Sequence, residues 1–334
     1  MTKTIFLPGL ALGLLVLAAP AHADHSISGH GGGAGSVMGP DTLMPGDLTL
    51  ALTFSLGVPE ARSDAELADL AARHIHAHTG DYTLVSSASI AYGLAPDLTV
   101  IASLPYVRRD DLREGVHDHH AATVNAVEQL GTVGGIGDAR VIAHWRVAKW
   151  HDGGVALMGG VKLPTGTTHQ RSDDGERLEV EHQPGSGSVD WITGIAAGTG
   201  AGPWKFAASA SREWTRYGAL DTRLGNRTLV GASAGYTLGA MGHHHDEEGE
   251  TPHRHDSTSL FVETTYEVEG KERVAGEVEA DSGSKVVWLS PGVAHEWASG
   301  WSAGVSAGVP LWQRVGLSHP DNKLRVTMSL GRSF

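Results

Sequence analysis

The sequence predicts an all-β protein, an antiparallel transmembrane β-barrel of about 12 strands with short turns at one end and longer loops at the other. Three observations point there. Hydrophobicity alternates with period two along stretches of ten or so residues, turn chemistry separates the stretches, and an N-terminal export signal is matched by a closing aromatic, Phe334. Composition agrees, because 40% apolar and 19% charged residues among 334 describe neither a disordered polyelectrolyte nor a stack of membrane helices. The balance of −13 argues against nucleic acid as a partner, whose binding calls for a basic patch or stripe. No Cys is present, so disulfides, thiolate metal sites and cysteine nucleophiles are excluded.

Residues 1–23 read as a signal peptide. Lys3 supplies the positive start, an apolar run follows from Leu10 to Ala19, and Ala21-His22-Ala23 gives the small-x-small cleavage pattern. That run is shorter than the ~20 residues a spanning helix needs. The mature chain then starts at Asp24 with 24 basic and 38 acidic residues, a balance of −14. Residues 24–46 form a flexible N-terminal segment, either periplasmic or a plug in the lumen, since His30 to Gly35 is glycine-rich.

Residues 47–334 form the barrel. Strands are expected near 47–57, 82–94, 98–108, 136–149, 153–163, 187–199, 203–216, 227–239, 258–268, 285–298, 300–312 and 323–334. The last is the clearest: Leu324, Val326, Met328, Leu330 and Phe334 share one face, and Lys323, Arg325, Thr327, Ser329 and Ser333 the other. An even count lets both ends of the barrel chain lie on one side. The connections alternate in length, with Ala95-Pro96-Asp97, Gly200-Ala201-Gly202 and Ser299 tight, while 58–81, 109–135, 164–186, 217–226, 269–284 and 313–322 are long. Short periplasmic turns and long extracellular loops are the asymmetry of outer-membrane barrels. One inner connection, 240–257, breaks the pattern. Trp150, Trp204, Trp214, Trp297, Trp301 and Trp312 fall near strand ends, where aromatic girdles meet headgroups. A soluble β-sandwich also alternates, but its strands are usually shorter. The expected compartment is therefore the outer membrane of a Gram-negative cell, with lipid around the barrel and barrel-assembly machinery engaging the strand that ends on Phe334.

Several glycine-rich motifs carry a likeness. Val37-Met38-Gly39-Pro40 and Met44-Pro45-Gly46-Asp47 lead into the first strand, followed by Gly134-Gly135-Ile136-Gly137-Asp138, Gly160-Val161-Lys162-Leu163-Pro164-Thr165-Gly166 and Gln183-Pro184-Gly185-Ser186-Gly187-Ser188-Val189-Asp190. Over most of the mature chain these resemble the outer-membrane "MetA-pathway of phenol degradation" family of transporter-like proteins. The resemblance implies fold and compartment more firmly than a substrate. Arg332 departs from it, standing where such barrels generally carry an apolar or aromatic residue. Read physically, Lys162 to Gly166 is a strand that stops, because Pro cannot donate to the ladder and Gly supplies the bend.

Histidine clusters are the candidate metal ligands. His243, His244, His245 and Asp246, with His253 and His255, lie in the 240–257 connection, which parity places on the periplasmic side. Imidazole beside carboxylate suits Zn²⁺, Ni²⁺ or Cu²⁺ as exchangeable ions, though H-x-H spacing is equally that of a solvated loop. No cofactor is required. His74, His76 and His78 form a second group in the first outer loop, and His117, His119 and His120 a third in the second.

Alternation directs Asp138, Arg140, His144, Arg146, Lys162, Lys205, Glu213, Glu263, Glu267, Lys323 and Arg325 into the lumen. Either these mixed signs pair and fill the interior, or they line a narrow aqueous path. Three functions follow. The first is a channel or transporter for a small solute, hydrophobic or aromatic compound or divalent metal. The second is a closed structural or metal-sequestering barrel. The third is a barrel hydrolase, which is disfavoured because no G-x-S-x-G elbow or comparable signature is present.

Overall fold

The computed structural model describes residues 35–117, 125–238 and 256–334. Twelve strands form the barrel. They are β1 (Leu48–Pro59), β2 (Tyr82–Ala95), β3 (Leu98–His117), β4 (Ala139–Trp150), β5 (Gly153–Leu163) and β6 (Asp190–Ala201). The ring continues through β7 (Trp204–Trp214), β8 (Arg227–Leu238), β9 (Ser257–Glu269), β10 (Ser284–Glu296), β11 (Trp301–Val315) and β12 (Asn322–Ser333). Each pairs antiparallel with its neighbour in sequence, and β1 closes on β12 in a register that sets Leu52 opposite Leu330 and Leu56 opposite Val326. Closure is what the bilayer demands. With no water in the hydrocarbon to take up a free edge, every backbone N–H and C=O must find a partner strand.

The two faces of each strand differ as the alternation requires. On β1, Leu50, Leu52 and Phe54 are exposed outward, while Thr49 and Ala51 are buried inward. Trp150, Trp204, Trp297 and Trp301 stand exposed at the short-turn end, and Trp191, Trp214 and Trp312 at the other, giving two aromatic belts. Trp288 is the contrary case, turned inward and 4% exposed.

The second outer connection is more ordered than its sequence predicts. Where 109–135 reads as a loop, β3 runs on to His117 and pairs with a further strand, Asn125–Ile136, as a ribbon beyond the barrel wall. Charged residues Arg108 to Glu114 break the alternation that would have signalled it, and bulges at Leu112 shift the register. A helix, α1 (Asp64–Ala72), packs against this ribbon: Leu67 and Leu70 join Ile75, Ala77 and Val127 in a small core. Leu112, Leu130, Val133 and Leu178 form another. The helix starts where a capping box sets it, with Ser63 Oγ accepting from the Glu66 N–H and Glu66 accepting from the Ser63 N–H at 2.8 Å.

Candidate functional site: the barrel interior

The glycine-rich motifs, far apart in sequence, meet at one buried lysine. Lys162, on β5, is 4% exposed, and its Nζ lies 2.9 Å from Asp138 Oδ2 and 2.6 Å from Asp190 Oδ2. Nζ also donates to Ser186 Oγ. Asp138 in turn accepts from the Gly166 N–H at 3.0 Å and the Ser186 N–H at 2.9 Å. The glycines are there for approach: a Cβ at Gly185 would come within 2.6 Å of Gly166 Cα. The result is that loop 164–189 folds inward against the wall, with Val180, His182, Gln183, Ser186 and Ser188 buried. Arg109 helps by donating to the His182 and Gln183 carbonyls at 3.2 and 3.3 Å. Alternation points Lys162 and Asp138 inward, but nothing local in the sequence tells that Asp138 and Asp190 face the same ammonium.

Three arginines of the interior are ion-paired as well. Arg140 on β4 meets Glu213 on β7 at 3.1 Å, reaching past the two strands between them. Arg325 on β12 meets Glu267 on β9 at 2.8 Å, and its guanidinium lies 4.4 Å from the Trp288 ring centre. Arg146 pairs with Asp97 of the β2–β3 turn at 2.6 Å. His144 is fully buried, Lys205 is half-buried near the short-turn end, and Lys323 is exposed at the outer end of β12.

The segment that precedes β1 also contacts the interior wall. Glu263, in the middle of β9 and 2% exposed, accepts from the Ser36 N–H at 2.8 Å and the Val37 N–H at 3.1 Å. Met38 N–H donates to Ser209 Oγ at 3.2 Å, and Leu43 N–H to Thr99 Oγ1 at 2.8 Å. Val37 is 1% exposed, and a Cβ on Gly231 would stand 2.7 Å from its Cγ2. Two cavities lie at different heights. The outer, about 490 Å³, is walled by Arg109, Arg140, Lys162, Asp190, Glu213 and Arg227 among others. The inner, about 300 Å³, is bounded by Gly39 to Asp41, Arg146 and Lys205.

At the top of the outer cavity stands a cluster that sequence reading did not assemble. His78 from the first outer loop, Glu181 and His182 from the third, Glu272 from the fifth and His319 from the last converge there. Of these, the sequence marks only His78, within a different group. His182, Glu272 and His319 are isolated in sequence, so no spacing could have revealed their meeting.

No protein-family model and no curated protein matches the chain. Among solved structures, it is similar to an outer membrane channel from Pseudomonas putida F1, with a TM-score of 0.57 at 13% identity over 88% of this chain and 97% of that one. The chain has an outer-membrane barrel fold. Other barrels align more loosely: the β domain of the Bordetella autotransporter BrkA has a TM-score of 0.45 at 10% identity, covering 87% of this chain and 100% of that one. LpxR from Salmonella typhimurium has 0.42 at 11%, covering 84% and 99%.

For this outer-membrane barrel, the His-rich connection with His243, His244, His245, Asp246, His253 and His255 lies outside the described residues, as do residues 1–34, His119 and His120. His74, His76 and His78 do not act as a unit. His76 is 3.7 Å from Glu114, which holds its imidazole above the usual range, whereas His78 turns toward Glu181.

Proposed function

We propose that this outer-membrane barrel is a gated channel for a small solute, held shut by its own N-terminal segment acting as a plug. The observation that carries this reading is Glu263, a buried wall carboxylate that accepts hydrogen bonds from two successive backbone N–H groups of that segment. A carboxylate buried at mid-wall is expensive unless it is satisfied. Here the chain's own N-terminal stretch satisfies it, with cavities toward both mouths.

The charged wall of the outer cavity favours a polar or ionic solute, a divalent metal included. The resemblance to the phenol-degradation family would favour an aromatic compound, but such a cargo would have to pass ion-paired Arg, Lys and Asp groups without replacing their hydration. The His-rich connection, His243 to His255, is proposed to hold exchangeable Zn²⁺, Ni²⁺ or Cu²⁺ on the periplasmic side. Calorimetric titration before and after removal of 240–257 tests that part.

The channel is tested by planar-bilayer recording of the processed chain and of Glu263→Ala. The proposal expects the parent to be closed most of the time and the variant to open at least tenfold more often. If both are silent, the closed structural or sequestering barrel is the better reading. If both conduct alike, the segment is no gate.

A further inference from the structure

Glu181 sits among three imidazoles. Its Oε1 is 3.4 Å from His78 Nδ1 and 3.5 Å from His182 Nε2, and its Oε2 is 3.9 Å from His319 Nε2. The rings stand edge to face, His78 against His182 at 4.6 Å and against His319 at 4.8 Å between centres. His319 Nδ1 and His78 Nε2 share a hydrogen bond at 3.2 Å. Glu272, buried, brings a second carboxylate oxygen to the side of Glu181 and His319, with all ligand atoms of that trio inside 4.8 Å.

Two features set this cluster apart from a chance meeting of polar side chains. First, His182 is 1% exposed and its Nε2, turned toward Glu181, has no hydrogen-bond partner. A buried ring nitrogen without a partner is costly, and a bound ligand removes that cost. Second, His78 Nδ1 and His182 Nε2 stand 3.4 and 3.5 Å from one oxygen, Glu181 Oε1, near the about 3.3–3.6 Å between ligand atoms of a tetrahedron with bonds of about 2.0–2.2 Å, and a second trio, Glu181, Glu272 and His319, adjoins it through the other oxygen of the same carboxylate.

The backbone around the cluster is tied down independently. Residues 78–79 pair with 113–114 of β3, the His78 N–H donates to the Ser318 carbonyl at 2.9 Å, and Arg62 donates to the His319 carbonyl at 2.6 Å. Arg109 holds the His182 carbonyl from below. The ligand atoms are therefore brought together by main-chain and arginine contacts, in advance of any ion.

We propose that this cluster, two trios sharing Glu181 (His78, Glu181 and His182; Glu181, Glu272 and His319), binds a divalent transition-metal ion of the Zn²⁺ or Cu²⁺ kind at the outer mouth, tying extracellular loops together above the outer cavity. Imidazole with carboxylate and no sulfur is the donor set of those ions. The site shares no residue with the His-rich 240–257 connection and stands whether or not the barrel conducts.

The test is calorimetric titration with ZnCl₂ of the full processed chain in which His243, His244, His245, His253, His255, His117, His119 and His120 are replaced by Asn, which removes the other histidine-rich loops. One Zn²⁺ per chain is expected at micromolar Kd or tighter. Glu181→Gln and the milder His319→Ala, made in that background, are each expected to raise Kd at least tenfold, whereas His151→Ala, at an exposed inner turn, leaves it unchanged. Folding is checked by heat-modifiable migration; should Glu181→Gln fail to fold, His319→Ala decides. No stoichiometric binding in the background chain, or unchanged Kd in the folded variants, overturns the proposal. Conductance plays no part in the readout, so its failure and that of the channel are distinguishable.

Discussion

The Val37 N–H donates to Glu263 Oε1 across 3.1 Å, joining residues 226 positions apart. With the neighbouring Ser36 N–H bound to the other oxygen of the same carboxylate, the N-terminal segment is held at mid-wall by two charge-assisted hydrogen bonds. Such bonds contribute about 1.5–3 kcal/mol each. That is enough to favour a seated segment and small enough to be reversible.

Gly231 gives a second handle on that seat, acting by volume and leaving the charge in place. A Cβ there would press Val37 Cγ2 at 2.7 Å, so Gly231→Val is predicted to displace the segment while suiting a strand. Bilayer recordings should give it a raised open probability like that of Glu263→Ala. The thermal midpoint of the barrel should stay within a few degrees of the parent.

Lys162 is predicted to be the most sensitive interior position. Lys162→Met leaves Asp138 and Asp190 buried without their shared ammonium, and loss of one partner of a buried ion pair costs about 3–5 kcal/mol. Urea unfolding of the refolded barrel should register that loss. Loop 164–189 should become protease-sensitive, since its inward fold hangs on Ser186 and Gly166 at the same node.

Arg332 lies on the outward face, opposite Leu50 and Trp301, with its guanidinium 5.1 Å from the Trp301 ring and 4.9 Å from the Phe334 ring. Exposed cation–π contacts contribute about 0.5–1 kcal/mol each. A charge near the interface costs about 0–1 kcal/mol, which offsets part of the about 1–2 kcal/mol from the two contacts. Arg332→Leu is predicted to change unfolding free energy by less than about 2 kcal/mol. Arg332→Glu, which sets an anion against the ring faces, should be clearly worse in the same assay.

The barrel was legible because its signal is periodic: a lipid-facing side chain at every second residue writes itself into the sequence. Boundaries such as 153–163 on β5 coincide with the observed strand for that reason. The ribbon from β3 to Asn125–Ile136 was not legible, since outside the bilayer neither face must be apolar and Arg108 to Glu114 carries charges on both. The interior was legible residue by residue but not pair by pair. Alternation turns Arg140 and Glu213 inward, yet only barrel closure brings β4 and β7 within one side chain of each other. The Glu181 cluster is the extreme case, because its ligands come from four loops with no shared period.

The most direct test of the gated barrel uses the absence of native cysteine. With Val37 Cγ2 2.7 Å from a Cβ at Gly231, the two Cβ atoms lie within roughly 4 Å, the separation a disulfide spans. Val37→Cys with Gly231→Cys, placed in the Glu263→Ala background, should conduct when reduced and fall silent when oxidised, reversibly in the same bilayer. A bridge that forms and leaves the conductance unchanged would contradict the account.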